Sequence, residues 1–416
     1  MRVLQFLRSR IAVVVAALLL CGALAWGYSL DGDIESAWGE LAVPTQPITF
    51  GDLKAVTGCI DCVIAGLDPY VEANHCYPMG GRFNLPRAWL WLRYMGVNGD
   101  TADATGVIYM LLLLAAFLLI FRTKTWFGGI AAVLGILSPP VLLGMERGNG
   151  DVLIFSLLVI ALSATMRLAP GPRRYVVGGF LAFLTAMKIY PAVAAAAIVR
   201  TRKDVGPAPL IAVVGVAALL LTSWSVLGEV YRNTPTVNWF AFGNINIFVA
   251  MIGLDWISAP DSLETLHVVV DLVTIAVIVN AAILALYLRS RRSGFFPRLD
   301  PDNRCDVVAV AALAVFCFVF CLGSSYNYRL LYLLAPLAAL VKAHDEAKHP
   351  AAKPAIIVLL AFLWLSGQWL YWPIYGFALF YEPLDWLVFI GAGSWLFVTL
   401  WDRVVPQGGR ARAATP

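Results

Sequence analysis

Charged and phenolic residues interrupt this chain at a few sharply defined places. The turn Gly144-Met145-Glu146-Arg147-Gly148-Asn149-Gly150-Asp151 sets Glu146, Arg147, Asn149 and Asp151 between two apolar runs. Charge at that depth is costly and usually functional. Lys188 and Tyr190 stand in Lys188-Ile189-Tyr190-Pro191, and Tyr326 and Arg329 in Ser324-Ser325-Tyr326-Asn327-Tyr328-Arg329. Lys188, Arg147 and Arg329 are thus three cations opposite acidic residues, an arrangement suited to a phosphate or pyrophosphate beside a general base. The plainer alternative is snorkelling toward lipid headgroups. Asp52, in Ile48-Thr49-Phe50-Gly51-Asp52-Leu53, is the candidate base. Gly51 lets the backbone approach a substrate closely, and the aromatic stretch Trp89 to Met95 reads as an interfacial helix that holds the region at headgroup depth. Asp31, Asp33 and Asp61 are alternatives that spacing does not exclude.

Cys59, Cys62 and Cys76 share one segment. In an oxidising, outward-facing loop they can form a disulfide, and Cys59-x-x-Cys62 alone is a redox or zinc half-motif. A second metal pair is missing and His75 is the only nearby histidine, so no metal and no cofactor are expected. Asp31-Gly32-Asp33 resembles a DxD motif but is too short to carry weight. Cys21, Cys317 and Cys321 lie in apolar runs and read as packing residues. Neither GxxxxGK[ST] nor a dinucleotide fingerprint is present, and no basic block with interleaved aromatics points to nucleic acid.

The elements that must position these residues are membrane helices. Of 416 residues, 60% are hydrophobic and 13% charged, with a formal net charge of +4, and the mean hydropathy is +0.78. A soluble domain is about 25% charged, so lipid must be the main solvent. Apolar runs of spanning length lie at roughly 10–28, 104–121, 126–143, 152–168, 207–228, 266–288, 306–323, 330–341, 354–372 and 385–401. The first, after Arg2, Arg8 and Arg10, reads as an uncleaved span. Basic clusters between the runs, such as Arg200 to Lys203 and Arg289 to Arg298, belong in the cytoplasm.

Residues 175–199 are basic at both ends, so a single crossing would put one cluster outside. A hairpin of two short helices turning at Lys188 to Pro191 removes the conflict, because proline breaks a helix and lysine needs a polar partner. The expectation is therefore an all-α, polytopic transmembrane helical bundle of about 10–12 membrane segments. It forms one domain over 1–416, with both termini cytoplasmic in the cell (plasma or inner) membrane, short interfacial helices in the external segment 29–103, and a disordered tail at 403–416.

In order and wording the motifs resemble the GT-C class of membrane glycosyltransferases, most closely the polyprenyl-phosphate-mannose-dependent mannosyltransferases of glycosyltransferase family 87. The resemblance rests on Gly51-Asp52-Leu53, Gly66-Leu67-Asp68-Pro69-Tyr70 and Phe83-Asn84-Leu85-Pro86, then Gly148-Asn149-Gly150-Asp151, Lys188-Ile189-Tyr190-Pro191 and Tyr326-Asn327-Tyr328-Arg329. Two departures bear on the donor contacts. The family's glutamine in the second turn is replaced by Gly148-Asn149-Gly150, and the late turn carries Asn327 and Arg329 where histidine is common.

The resemblance implies transfer of a sugar, mannose first, from a polyprenyl-phosphate donor on the outer leaflet to a hydroxyl of a glycolipid or glycan acceptor, with inversion. Asp52 would be the catalytic carboxylate, and Lys188, Arg147, Arg329, Asn149, Asp151, Tyr190 and Tyr326 would bind substrate. Two rivals differ in layout. A transporter or flippase should carry charge at mid-membrane depth, where Asp271 and Asn280 are the few candidates. A lipid-linked oligosaccharide polymerase or ligase usually has its large external loop late in the chain.

Overall fold

Long apolar runs with few internal polar residues fold here as helices, and turn residues mark their ends. The computed structural model describes residues 9–71, 76, 82–234, 241–253, 263–290, 296–323, 325–346, 349–366 and 375–405. Ile11–Asp31 forms α1. Ile34–Glu40 forms α2, whose cap Asp33 accepts from the Ser36 N–H at 2.9 Å. Gly51–Ile64 forms α3, and a 3-10 helix spans Arg87–Met95.

The bundle continues with α4 (Ala102–Ile120), α5 (Trp126–Ile136), α6 (Pro139–Arg147), α7 (Gly150–Thr165) and α8 (Pro170–Met187). A 3-10 helix, Tyr190–Ile198, precedes α9 (Pro207–Ser223) and α10 (Leu227–Asn233). Then come α11 (Asn246–Gly253), α12 (Leu263–Ser290), α13 (Arg304–Cys321), a 3-10 helix at Asn327–Leu333, α14 (Leu334–Asp345), α15 (Ala352–Leu365) and α16 (Tyr375–Val404). Ala241–Phe242 and Ser325–Tyr326 make a two-stranded antiparallel ribbon. The protein is an all-α polytopic bundle.

Among the described residues six helices are long and apolar enough to cross a membrane, or seven if α5 and α6, bent by 41°, count as one span. That is fewer full crossings than the apolar runs imply. Helices α7 and α15 have 16 and 14 residues, hence about 24 and 21 Å against a hydrocarbon core of about 30 Å. The run at 330–341 is a 3-10 turn followed by α14, with every residue from Leu330 to Val341 buried. Helix α13 lies at the centre, with 72% of its apolar window buried inside the protein against 22% for α1.

In 175–199, α8 stops at Met187, Lys188 is extended, and the second arm is the 3-10 helix Tyr190–Ile198 packed back on α8. The aromatic stretch Trp89 to Met95 is divided. Trp89 is fully buried while Tyr94 and Met95 are exposed, so its first half is core. Basic residues at the far ends of the helices are tied down: Lys342 pairs with Asp306 at 2.7 Å, Arg200 with Asp302 and Arg289 with Asp402. Arg403, at the start of the expected tail, is still on α16 and donates to the Val199 and Leu299 carbonyls at 2.9 and 3.1 Å. The rest of that tail, 406–416, lies outside the described residues, as does His75.

Candidate functional site

Asp52 sits in the first turn of α3, where unpaired N–H groups favour negative charge. The helix starts from Phe50, whose φ is +57° and whose N–H donates to the Glu146 carbonyl at 3.0 Å. That bond ties α3 to the end of α6. Helix α6 ends at Gly148, left-handed at φ +58°, a conformation glycine adopts without steric cost. Asn149 then caps α7, its Oδ1 accepting the Asp151 N–H at 2.8 Å. The Asn149 amide Nδ2 donates to Asp52 Oδ2 at 2.5 Å, and Gln46 Nε2 to Oδ1 at 3.5 Å. Two neutral amides therefore orient the carboxylate, and the long Gln46 contact leaves Oδ1 capacity for another donor.

Asp151, in the first turn of α7, is wholly buried. Its Oδ2 takes Lys188 Nζ at 2.7 Å and Arg329 Nε at 3.4 Å. Arg329 also donates to the Ser325 hydroxyl at 2.9 Å. Burial pushes the Lys188 ammonium below its usual range, and the neighbouring Asp151 carboxylate opposes that shift. Two cations share one carboxylate, so the triad carries a net +1. Beside it lies the Tyr190 ring, with Lys188 Nζ and Arg329 Cζ each 5.8 Å from its centroid, within cation–π range.

Arg147 pairs with Glu146 at 3.0 Å and donates to the Pro44 carbonyl at 3.2 Å. Glu146 in turn accepts the Gln46 N–H at 3.1 Å. Tyr326 stacks on Tyr328 at 5.2 Å between ring centroids.

These groups surround one cavity of about 1390 Å³. Asp52, Arg147, Asn149, Lys188, Tyr190, Tyr326 and Arg329 all line it, while Asp151 lies behind the wall under Lys188 and Arg329. The structure thus gathers the eight sequence candidates around a single space. Leu219, Leu227, Val230, Ile245 and Val249, from α9 to α11 and the turn before α11, contribute apolar lining to it.

Other lining residues escaped sequence reasoning: Gln46, Arg232 and His267. Nothing in their local sequence marks them, since Gln46 is in a polar loop and His267 is one of several polar residues on α12, with Glu264 and Asp271. Trp89 was seen only as interfacial, yet its indole N–H donates to the Met187 carbonyl at 2.8 Å, fixing the end of α8 just before Lys188.

The alternative carboxylates have other tasks. Asp33 caps α2, Asp61 accepts from the Gly99 N–H at 3.0 Å, and Asp31 is exposed at the end of α1. Cys62 and Cys76 form a disulfide, which occupies half of the Cys59-x-x-Cys62 motif. Cys59 is a free thiol that burial pushes up to about 12, so it is neither a nucleophile nor a ready metal ligand. Among the described residues no three His, Cys, Asp or Glu side chains come together as a metal centre. Chemically, the cavity offers an oriented carboxylate able to accept a proton and a cationic wall able to hold an anion. No family model, curated protein or solved structure matches the chain.

Proposed function

We propose that this protein is a membrane glycosyltransferase that moves a sugar, mannose by the motif resemblance, from a polyprenyl-phosphate donor to a hydroxyl of a glycolipid or glycan acceptor, with inversion. The observation that carries this reading is that Asp52 and the Lys188–Arg329 cation pair line the same cavity. The acceptor hydroxyl gives its proton to Asp52 as its oxygen attacks the anomeric carbon. The bond from that carbon to the phosphate oxygen breaks, and its electron pair leaves with the lipid phosphate. Lys188 and Arg329 stabilise the charge that grows there. The apolar lining from Leu219, Leu227, Val230, Ile245 and Val249 suits the prenyl chain. By the distribution of Lys and Arg, the cavity faces outward from the cell membrane and both termini are cytoplasmic.

The test is direct. Purified full-length protein in lipid nanodiscs is given radiolabelled polyprenyl-phosphate mannose or glucose together with membrane acceptors. Transfer from one of them, lost in Asp52→Asn, is expected; no transfer from either donor to any acceptor fraction removes the reading.

A second reading, a lipid or sugar transporter, is favoured by one observation. Glu382 and Asp385 are buried in the long apolar helix α16, the kind of intramembrane carboxyls that transport proteins use. Proteoliposomes that move the intact donor across the bilayer without chemistry would support it.

A further inference from the structure

Four arginines gather at the end of the bundle away from the cavity. Arg10 stands at the N-terminal cap position of α1, Arg122 follows the end of α4, Arg167 follows the end of α7 and Arg304 opens α13. Helices α4, α7 and α13 pack on one another, and α1 packs on α4. Two bonds seat the start of α1. The Thr123 N–H donates to the Ser9 carbonyl at 2.9 Å, and Arg10 Nε donates to the Leu118 carbonyl at 2.5 Å. The charges of Arg122 and Arg304 act on Arg10, and those of Arg122 and Arg167 act on Arg304. The four guanidiniums therefore share one electrostatic region. The length of α7, 16 residues or about 24 Å, separates it from Asn149 and the cavity.

Acidic side chains nearby are engaged elsewhere. Asp306 pairs with Lys342 at 2.7 Å and Asp302 with Arg200, while Asp345 accepts from the Lys124 N–H and the Thr125 hydroxyl. Among the described residues Arg122, Arg167 and Arg304 make no ion pair. The sequence stretch 1–8, which adjoins Arg10 along the chain, adds Arg2 and Arg8 and no Asp or Glu. Lys342, Arg200 and Arg289, by contrast, each have a carboxylate partner.

A general surplus of basic residues on one side of a membrane explains positive charge, but not the positions of two of these four. Helix N-termini disfavour cations, yet Arg10 and Arg304 both stand at helix N-termini. Arg10 is also only 3% exposed, so water screens it poorly. An anion with several oxygens offsets the repulsion among the arginines and from the helix ends together. Phosphate fits best, because the planar guanidinium fork matches its oxygens two at a time. The group is open on one side: Arg122 and Arg167 are exposed and Arg304 is half-buried.

We propose that Arg10, Arg122, Arg167 and Arg304 form a binding site for a phosphate group, carried by an anionic lipid headgroup or by a soluble phosphate compound. Arg10 makes its buried side, and Arg122 and Arg167 its open side. The site stands independently of the glycosyltransferase reading, because binding there requires no turnover.

Full-length protein in neutral detergent micelles is titrated by native mass spectrometry with phosphatidylglycerol, phosphatidylcholine and pyrophosphate. The parent should hold phosphatidylglycerol or pyrophosphate in preference to phosphatidylcholine. Phosphatidylglycerol uptake identifies a lipid headgroup as the source, and uptake of pyrophosphate alone a soluble phosphate. Arg122→Gln, Arg167→Gln and Arg304→Gln should each weaken that binding by about fivefold or more. The exposed positions 122 and 167 keep the test available should the Arg304 variant not fold. Arg122→Lys with Arg304→Lys keeps the charge and removes the forks, and it should weaken binding too. Because the cavity also holds cations, Lys188→Met is the control and should bind as the parent does. The proposal is overturned if the parent prefers neither anionic probe, or if binding is unchanged in the glutamine variants. Binding kept in full by the double lysine variant reduces the group to surface attraction, and loss in Lys188→Met places the anion in the cavity; either result also overturns the site.

Discussion

Replacing Asp151 by Asn removes the carboxylate shared by Lys188 and Arg329 while keeping the side chain's size. At 2.7 and 3.4 Å and an effective dielectric of about 20, the two attractions are about 6 and 5 kcal/mol in gross terms. Desolvation of three buried ions offsets most of that. Breaking a buried pair by deleting one partner costs about 3–5 kcal/mol, because the remaining charge is left uncompensated. Here two cations are left, facing each other with no anion between them.

Asp151→Asn should therefore lose about 3–5 kcal/mol of unfolding free energy, measured by denaturant titration of the purified protein in mixed micelles. Two companion results follow from the same cause. Adding Lys188→Met to Asp151→Asn should restore part of the loss, with a coupling of about 2–3 kcal/mol in the double-mutant cycle. Inorganic phosphate should raise the stability of Asp151→Asn more than that of the parent, since it supplies the missing anion to the folded state. If Asp151→Asn unfolds at the parent midpoint, or if Lys188→Met adds its own loss on top, Asp151 does not neutralise the pair.

Asp52→Asn should retain the fold and lose about 10²–10⁴-fold in transfer rate; a folded variant at the parent rate excludes Asp52 as the base. A Cβ on Gly150 would lie 2.3 Å from the Trp89 ring, so Gly150→Ala should destabilise by about 1–3 kcal/mol through overpacking, and an unchanged unfolding midpoint would show that the two do not touch. Lys188→Cys should react with an impermeant thiol reagent added outside intact cells, and Arg202→Cys only after permeabilisation. Labelling of position 202 from outside would refute the proposed two-armed topology of 175–199.

The cavity's charged residues were legible because each interrupts an apolar run, where its desolvation must be balanced by function or by a partner. Lys188 beside Pro191 and the string from Glu146 to Asp151 stand out for that reason. Which partner each would find was not legible. The Asp151 ion pairs join residues 37 and 178 positions apart, and no local pattern encodes such contacts. Which apolar runs form full-length helices was not legible for a related reason. A helix buried in protein and one facing lipid are both apolar all round, so 330–341 and 152–168 read as spans although one is interior and the other short. Glu382 and Asp385 do not stand out in the sequence because they fall at the edge of the apolar run 385–401 rather than inside it. The helix runs unbroken from Tyr375 to Val404 and carries both carboxyls inside.

The cavity residues come from places where regular helix stops. Asp52 follows Phe50, whose backbone is left-handed; Asn149 follows the left-handed Gly148; Lys188 is extended between α8 and a 3-10 helix; Arg329 lies in another 3-10 helix. Inside a bilayer such breaks are tolerated only where protein or a water-filled cavity satisfies the freed backbone. Here several freed groups find partners within the same region. The Phe50 N–H reaches the Glu146 carbonyl, the Asn149 N–H the Gly144 carbonyl and the Asp151 N–H the Asn149 side chain. Trp89 covers the Met187 carbonyl. A break that must be buried beside a cavity also delivers its side chain to that cavity, so backbone satisfaction and placement of the charged groups are one structural problem. This is why four segments distant in sequence, around residues 52, 149, 188 and 329, converge on a single space. It also gives Asn149 two roles at once, cap of α7 and donor to Asp52, so removing its amide should disturb the carboxylate and the helix start together.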